Sequence, residues 1–77
     1  MVPKLKVSRA ALFARIKRKL GHEEERLYAS RSERARLDVG DFYVLDLRRN
    51  LITASFVDPV ELARELGVLK PFEDAEL

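Results

Sequence analysis

The sequence predicts a small α+β fold: an N-terminal helix, a three-stranded antiparallel sheet around a central hairpin (42–47 and 51–57), and a C-terminal helix over 59–66. Three observations predict it. Phe42-Tyr43-Val44-Leu45-Asp46-Leu47 and Leu51-Ile52-Thr53-Ala54-Ser55-Phe56-Val57 are rich in aromatic and β-branched residues, and only Arg48, Arg49 and Asn50 separate them. That is the signature of two strands joined by a tight turn. Asp58-Pro59-Val60-Glu61 sets an N-cap acid, a proline at the first helical position and a glutamate at the third, each of which suits a helix start. Leu12, Phe13, Ile16 and Leu20 recur on one face at helical spacing.

Residues 1–6 read as a loose lead-in. Ser8 is the N-cap of a helix from about Arg9 to Leu20, and Gly21 is its stop. Arg15 and Arg18 point away from the apolar face, and Lys17, Arg18 and Lys19 in the last turn complement the helix dipole. The segment 22–40 has helix-forming residues, but Leu27, Tyr28, Ala35, Leu37 and Val39 make no clean stripe. An isolated hairpin is marginal in water and a third strand relieves that weakness. A strand is therefore expected at about 25–30, followed by a charged loop to Gly40.

Side-chain alternation fixes an expected register for the hairpin. With Arg49 and Asn50 at the centre of a two-residue turn, Leu47 faces Ile52, Leu45 faces Ala54 and Tyr43 faces Phe56. That face is wholly apolar and is expected to lie under both helices, which makes Leu45 a core residue. The other face pairs Asp46 with Thr53, Val44 with Ser55 and Phe42 with Val57. After the 59–66 helix, Gly67 is a C′ stop and Val68 and Leu69 fold back over the helix end. Pro71 ends regular structure, and residues 70–77 are expected to form a mobile acidic tail on an ordered core of about 7–69. The whole of 1–77 reads as one domain.

The chain contains no Cys, which excludes disulfides, thiolate metal sites and a cysteine nucleophile and fits a reducing, cytoplasmic setting. No apolar run approaches the roughly 18 residues of a membrane span, and Arg15 interrupts the only short apolar run near the N-terminus. No membrane partner is expected. The formal net charge of +2 conceals an asymmetry. Residues 1–36 hold eleven Lys/Arg against four acids, a balance of +7, and residues 37–77 hold four against nine, a balance of −5. Either the basic half meets an anionic partner or the two halves attract each other within the fold.

No catalytic, metal or cofactor constellation emerges, so no enzyme and no cofactor is expected. His22 stands alone beside Glu23, Glu24 and Glu25; three consecutive glutamates cannot converge on one ion, and a metal site needs three or four converging ligands. Asp46 is the one carboxylate among apolar neighbours, and a turn acceptor or ion pair accounts for it better than acid–base chemistry. The three glycines are isolated at element boundaries and form no phosphate loop. Two functional readings remain. The first is a non-enzymatic interaction module acting through protein contacts, a second copy included, at an apolar cluster of Phe42, Val44 and Val57 on the uncovered sheet face. The alternative is a nucleic-acid-binding accessory protein using Arg15, Lys17, Arg18 and Lys19 of the first helix and Arg31, Arg34 and Arg36 of the loop, with Tyr28 as the one aromatic free to stack on a base.

Ile16-Lys17-Arg18-Lys19-Leu20, Gly40-Asp41-Phe42-Tyr43-Val44-Leu45-Asp46, Asn50, Val57-Asp58 and Leu62-Ala63-Arg64-Glu65-Leu66-Gly67-Val68-Leu69 resemble the pattern of a group of short uncharacterised proteobacterial proteins, over roughly residues 10–72. The resemblance implies a self-contained bacterial domain. It carries no activity and adds no site.

Overall fold

The structure, a computed structural model, describes residues 4–75. It is α+β, with elements in the order β1 (Leu5–Val7), α1 (Arg9–Gly21), β2 (Glu25–Ala29), α2 (Glu33–Val39), β3 (Phe42–Asp46), β4 (Leu51–Ala54), α3 (Pro59–Glu65) and β5 (Glu73–Ala75). β2, β3 and β4 form an antiparallel sheet in that order, and β1 and β5 form a separate parallel pair.

The two helix-start signals act as elementary chemistry dictates. The Ser8 hydroxyl accepts from the Ala11 amide at 3.2 Å, capping α1. The Asp58 carboxylate accepts from the Val60 amide at 2.9 Å, with Pro59 at the first position of α3. At the other end of α3, Gly67 takes φ +75°. The Val68 amide then reaches back to Ala63 O at 3.0 Å and the Gly67 amide to Arg64 O at 3.1 Å, the paired bonds of a Schellman stop. Leu12, Ile16 and Leu20 of α1 are buried with Val44 of β3, Ala63 of α3, Val7 and Leu69. Each large side chain so buried contributes about 1.5–3 kcal/mol.

The sheet is inverted relative to the expected arrangement. Phe42 and Val44 lie on the covered face. Val44 is 3% exposed, the Phe42 ring meets Phe13 of α1 with centroids 5.6 Å apart, and Val57 packs against the core. The proposed exposed cluster of Phe42, Val44 and Val57 is therefore interior or half-buried and is not a free surface. Tyr43 and Leu45 stand on the opposite face. The register explains part of this change. Leu45 faces Ile52 and Asp46 faces Leu51, while Val44 faces Ala54, so a bulge intervenes between Val44 and Leu45. The turn spans Leu47 to Asn50 instead of two residues. The Asp46 carboxylate holds it by accepting from the Arg48 and Arg49 amides at 2.9 and 3.1 Å, and Asn50 takes φ +55°, a conformation Asn tolerates. β4 ends at Ala54, short of the expected Val57.

Three elements were not expected. Residues 33–39 form α2 in place of a charged loop. Ser32 caps it through the Ala35 amide at 3.1 Å, and none of its residues is buried, which is why it lacks an apolar stripe. β1 and β5 join the ends of the described chain, with Leu5 opposite Glu73 and Val7 opposite Ala75. The expected acidic tail is thus built into the fold over 73–75; residues 76–77 lie outside the described residues.

Glu73 is the pivot of this closure. It is only 8% exposed. Its carboxylate accepts from Arg15 Nη1 at 3.0 and 3.1 Å and from the Lys70 amide at 3.0 Å. Arg15 also donates to Val68 O at 3.1 Å. The Arg15 hydrogen bond, followed by that from the Lys70 amide, holds the Glu73 carboxyl below the ordinary carboxylate value of 4.5, against the opposing effect of desolvation.

Two expected outcomes follow from this arrangement. Val44→Asp buries an unpaired charge and abolishes cooperative folding, whereas Leu45→Asp leaves a folded protein; circular dichroism with thermal melting distinguishes them, and the opposite ranking would reverse the face assignment. Because the folded-state pKa of Glu73 is lowered, its ionised form stabilises the fold fully above the unfolded value, and that contribution is lost as pH falls through the folded value. The difference in melting temperature between the wild type and Glu73→Gln is accordingly greatest near neutral pH and closes with acidification below 4.5.

Candidate functional site

The bare face of the three-stranded sheet is the principal unassigned surface. Side chains directly opposite in an antiparallel register share a face. Tyr28 faces Tyr43, Arg26 faces Leu45, and Leu45 in turn faces Ile52. These five residues occupy the side away from α1. The Tyr28 and Tyr43 rings stack with centroids 5.6 Å apart and planes at 19°. The Arg26 guanidinium lies 5.9 Å from the Tyr28 centroid, within the range of a cation–π contact. Leu47, Leu51 and Ile52 are exposed near the turn, so the apolar surface continues to the tip of the hairpin.

β4 forms one edge of this sheet, and every one of its residues is exposed. Natural edge strands are commonly protected by charge, proline or covering elements. From Leu51 to Val57 there is no charged residue, proline or glycine. At the end of this run the chain makes a strained turn. Phe56 has φ +53°, rare for a bulky residue, and is 66% exposed. Gly40, itself at φ +82°, makes this possible: a Cβ there would meet Phe56 Cα at 2.7 Å. The Phe56 amide donates to Val39 O at 2.6 Å and the Val57 amide to Phe42 O at 3.0 Å, so the chain turns inward just beyond the exposed ring. The aromatic side chain is held outward at the rim of a hollow of about 500 Å³ that Arg36, Asp41 and Pro59 also line.

The basic residues singled out from the sequence do not form one patch. Arg15 is engaged by Glu73 and Val68 O. Lys17, Arg18 and Lys19 are exposed on the C-terminal half of α1 and in no salt bridge among the described residues. Arg31 precedes α2, whereas Arg34 and Arg36 lie on it, and Arg36 is 3.9 Å from Asp41. Arg36 and Arg9 border one hollow near the start of α1, and Arg9 stacks over Phe13 at 5.4 Å. Arg18 lies nine residues further along the helix, roughly 14 Å at the α-helical rise. His22 is exposed in the turn after α1, and among the described residues no group of three or more His, Cys, Asp or Glu is placed to hold a metal. Nor is any helix among them long and apolar enough to cross a membrane. Asp46 serves as the turn acceptor.

Side-chain alternation alone leaves Tyr28 as a free aromatic and places Tyr43, Ile52 and Phe56 in the core. Nothing in 51–57 marks this strand as an edge, because a run without charge or proline reads as a covered strand. Compared with protein-family models, curated proteins and solved structures, the chain matches none.

Proposed function

We propose that this protein is a small non-enzymatic interaction module that self-associates through the free β4 edge and the adjoining bare face of its sheet. The observation that carries the reading is the combination of an uncharged, fully exposed edge strand with a neighbouring face of Tyr28, Tyr43, Leu45 and Ile52. An edge of this kind presents unpaired amide and carbonyl groups ready for another strand. Antiparallel addition of β4 to β4 about a two-fold axis is self-complementary and extends each three-stranded sheet into a shared one.

Charge favours this reading over single-strand nucleic-acid binding on the same face. A stacked aromatic pair with an arginine resembles a base-stacking platform, but affinity for nucleic acid comes largely from neutralising phosphates. Residues 24–56, which contain the whole sheet, hold six Lys/Arg and six Asp/Glu. They supply no net positive field for a phosphate backbone. The same neutrality means that two copies meeting here do not repel each other.

Sedimentation velocity over a concentration series at about 0.15 M salt tests the proposal. The wild type is expected to dimerise reversibly, and Ile52→Lys, which adds the charge that protects natural edges, is expected to be monomeric with an unchanged melting temperature. A wild type that stays monomeric up to about 1 mM, where an association of only about −4 kcal/mol becomes visible, contradicts it.

A further inference from the structure

A hollow of about 450 Å³ lies on the other side of the molecule, between the flank of α1 and the segment that follows α3. Arg15, Arg18, Lys19 and His22 border it at i, i+3, i+4 and i+7, one side of a helix that continues into its terminal turn. Lys70 and Phe72 close it from the opposite wall, with Glu73 beside Arg15. The volume is that of a small-molecule site.

The electrostatics of this hollow are unbalanced. Both oxygens of Glu73 accept from Arg15, and one also accepts from the Lys70 amide, so this carboxylate and Arg15 neutralise each other. Arg18, Lys19 and Lys70 are in no salt bridge among the described residues. The helix dipole accounts for Arg18 and Lys19 in the last turn of α1. It does not account for Lys70, which a separate segment brings to the same space against like charge.

That opposite wall is also fixed in place. Arg64 donates to Lys70 O at 3.3 Å and to Glu73 O at 3.1 Å, the Leu5 amide donates to Phe72 O at 2.8 Å, and the Glu73 amide donates to Lys70 O at 2.9 Å. The backbone carrying Lys70 and Phe72 is therefore held before any ligand arrives, which lowers the ordering cost of binding. Phe72 remains 55% exposed, a planar apolar surface beside three cations that are in no salt bridge among the described residues.

We infer that this hollow binds a small organic phosphate bearing a planar ring, of the nucleoside monophosphate class, with the phosphate among Arg18, Lys19 and Lys70 and the ring against Phe72. Charge-assisted hydrogen bonds from Arg and Lys are the strong contacts for such a phosphate, and an aromatic face supplies sequence-independent stacking for the ring. The inference is independent of self-association, because the hollow belongs to the α1 and α3 side and β4 takes no part in it.

Amide-resolved NMR titration of the full chain with adenosine monophosphate, inorganic phosphate and adenosine tests the assignment. Adenosine monophosphate is expected to shift the Arg18, Lys19, Lys70 and Phe72 amides saturably, with inorganic phosphate shifting the same cations at least about tenfold more weakly. Arg18→Ala and Lys70→Ala are each expected to weaken both phosphates by about tenfold or more, with melting temperatures preserved. Phe72→Ala removes the advantage of the nucleotide over inorganic phosphate. The inference fails if these amides do not respond up to about 10 mM ligand, or if the shifts spread equally over Arg9, Lys17, Arg48 and Arg49. It also fails if a short single-stranded oligonucleotide binds more than about tenfold tighter than the mononucleotide, which would make the surface a strand-binding one.

Discussion

The ion pair between Arg15 and Glu73 is the constraint on which the closure of the described chain's two ends depends. It joins the middle of the first long helix to the last strand, and through the Lys70 amide and Val68 O it fixes the segment between α3 and β5. An exposed pair contributes little to stability. This one is partly withdrawn from water, shared with backbone groups and supported by Arg64 from a second helix. Removing either partner leaves the other without its main contact. The β1–β5 pair is only three residues long on each side, too short to persist unaided. It is this side-chain lattice that gives it a fixed place.

The sheet illustrates what alternation does and does not determine. Tyr43 and Leu45 on one face, and Phe42 and Val44 on the other, are all apolar. Periodicity therefore identifies β3 without saying which face is inward. The choice is made by packing: Phe13 of α1 meets Phe42, and Val44 enters the cluster with Ile16 and Leu20. The bulge beside Val44 and the four-residue turn shift β4 relative to an ideal two-residue hairpin. Turn chemistry held the clue, since Arg49-Asn50 is a poor two-residue turn and Asp46 is placed to cap a longer one. For the same reason, Phe56 was assigned inward from alternation alone, although Gly40, distant in sequence, permits the conformation that turns it out.

Helices were legible where caps and an apolar stripe coincide. Ser8 and Asp58 mark the starts of α1 and α3, whose bounds fall within a residue of the expected ones. α2 has a cap but no buried residue, so its signal is half of the usual one. β1 and β5 carry no strand signature in Leu5-Lys6-Val7 and Glu73-Asp74-Ala75, and they form because distant parts of the chain are brought together. The candidate surfaces follow this division. The cationic side of α1 could be read at the level of sequence, but its pairing with Lys70 and Phe72 depends on the closure by Glu73. Of the two readings of the charge asymmetry, attraction between the halves is seen in Arg15–Glu73, while Arg18 and Lys19 are in no salt bridge among the described residues.

The molecule thus has two distinct sides, an electroneutral sheet with an open edge and a helical layer with a cationic hollow whose far wall is held by the Arg15–Glu73 contact. Native-state hydrogen exchange at the Leu5 and Glu73 amides, bonded to Phe72 O and Lys70 O, tests that closure most directly. If the ends are integral to the fold, both amides exchange only in the opening that also exposes Ile16 and Val44, and Arg15→Met releases them to faster exchange while Ile16 and Val44 stay protected. Rapid exchange at Leu5 and Glu73 in the wild type, with the core still protected, would contradict the account.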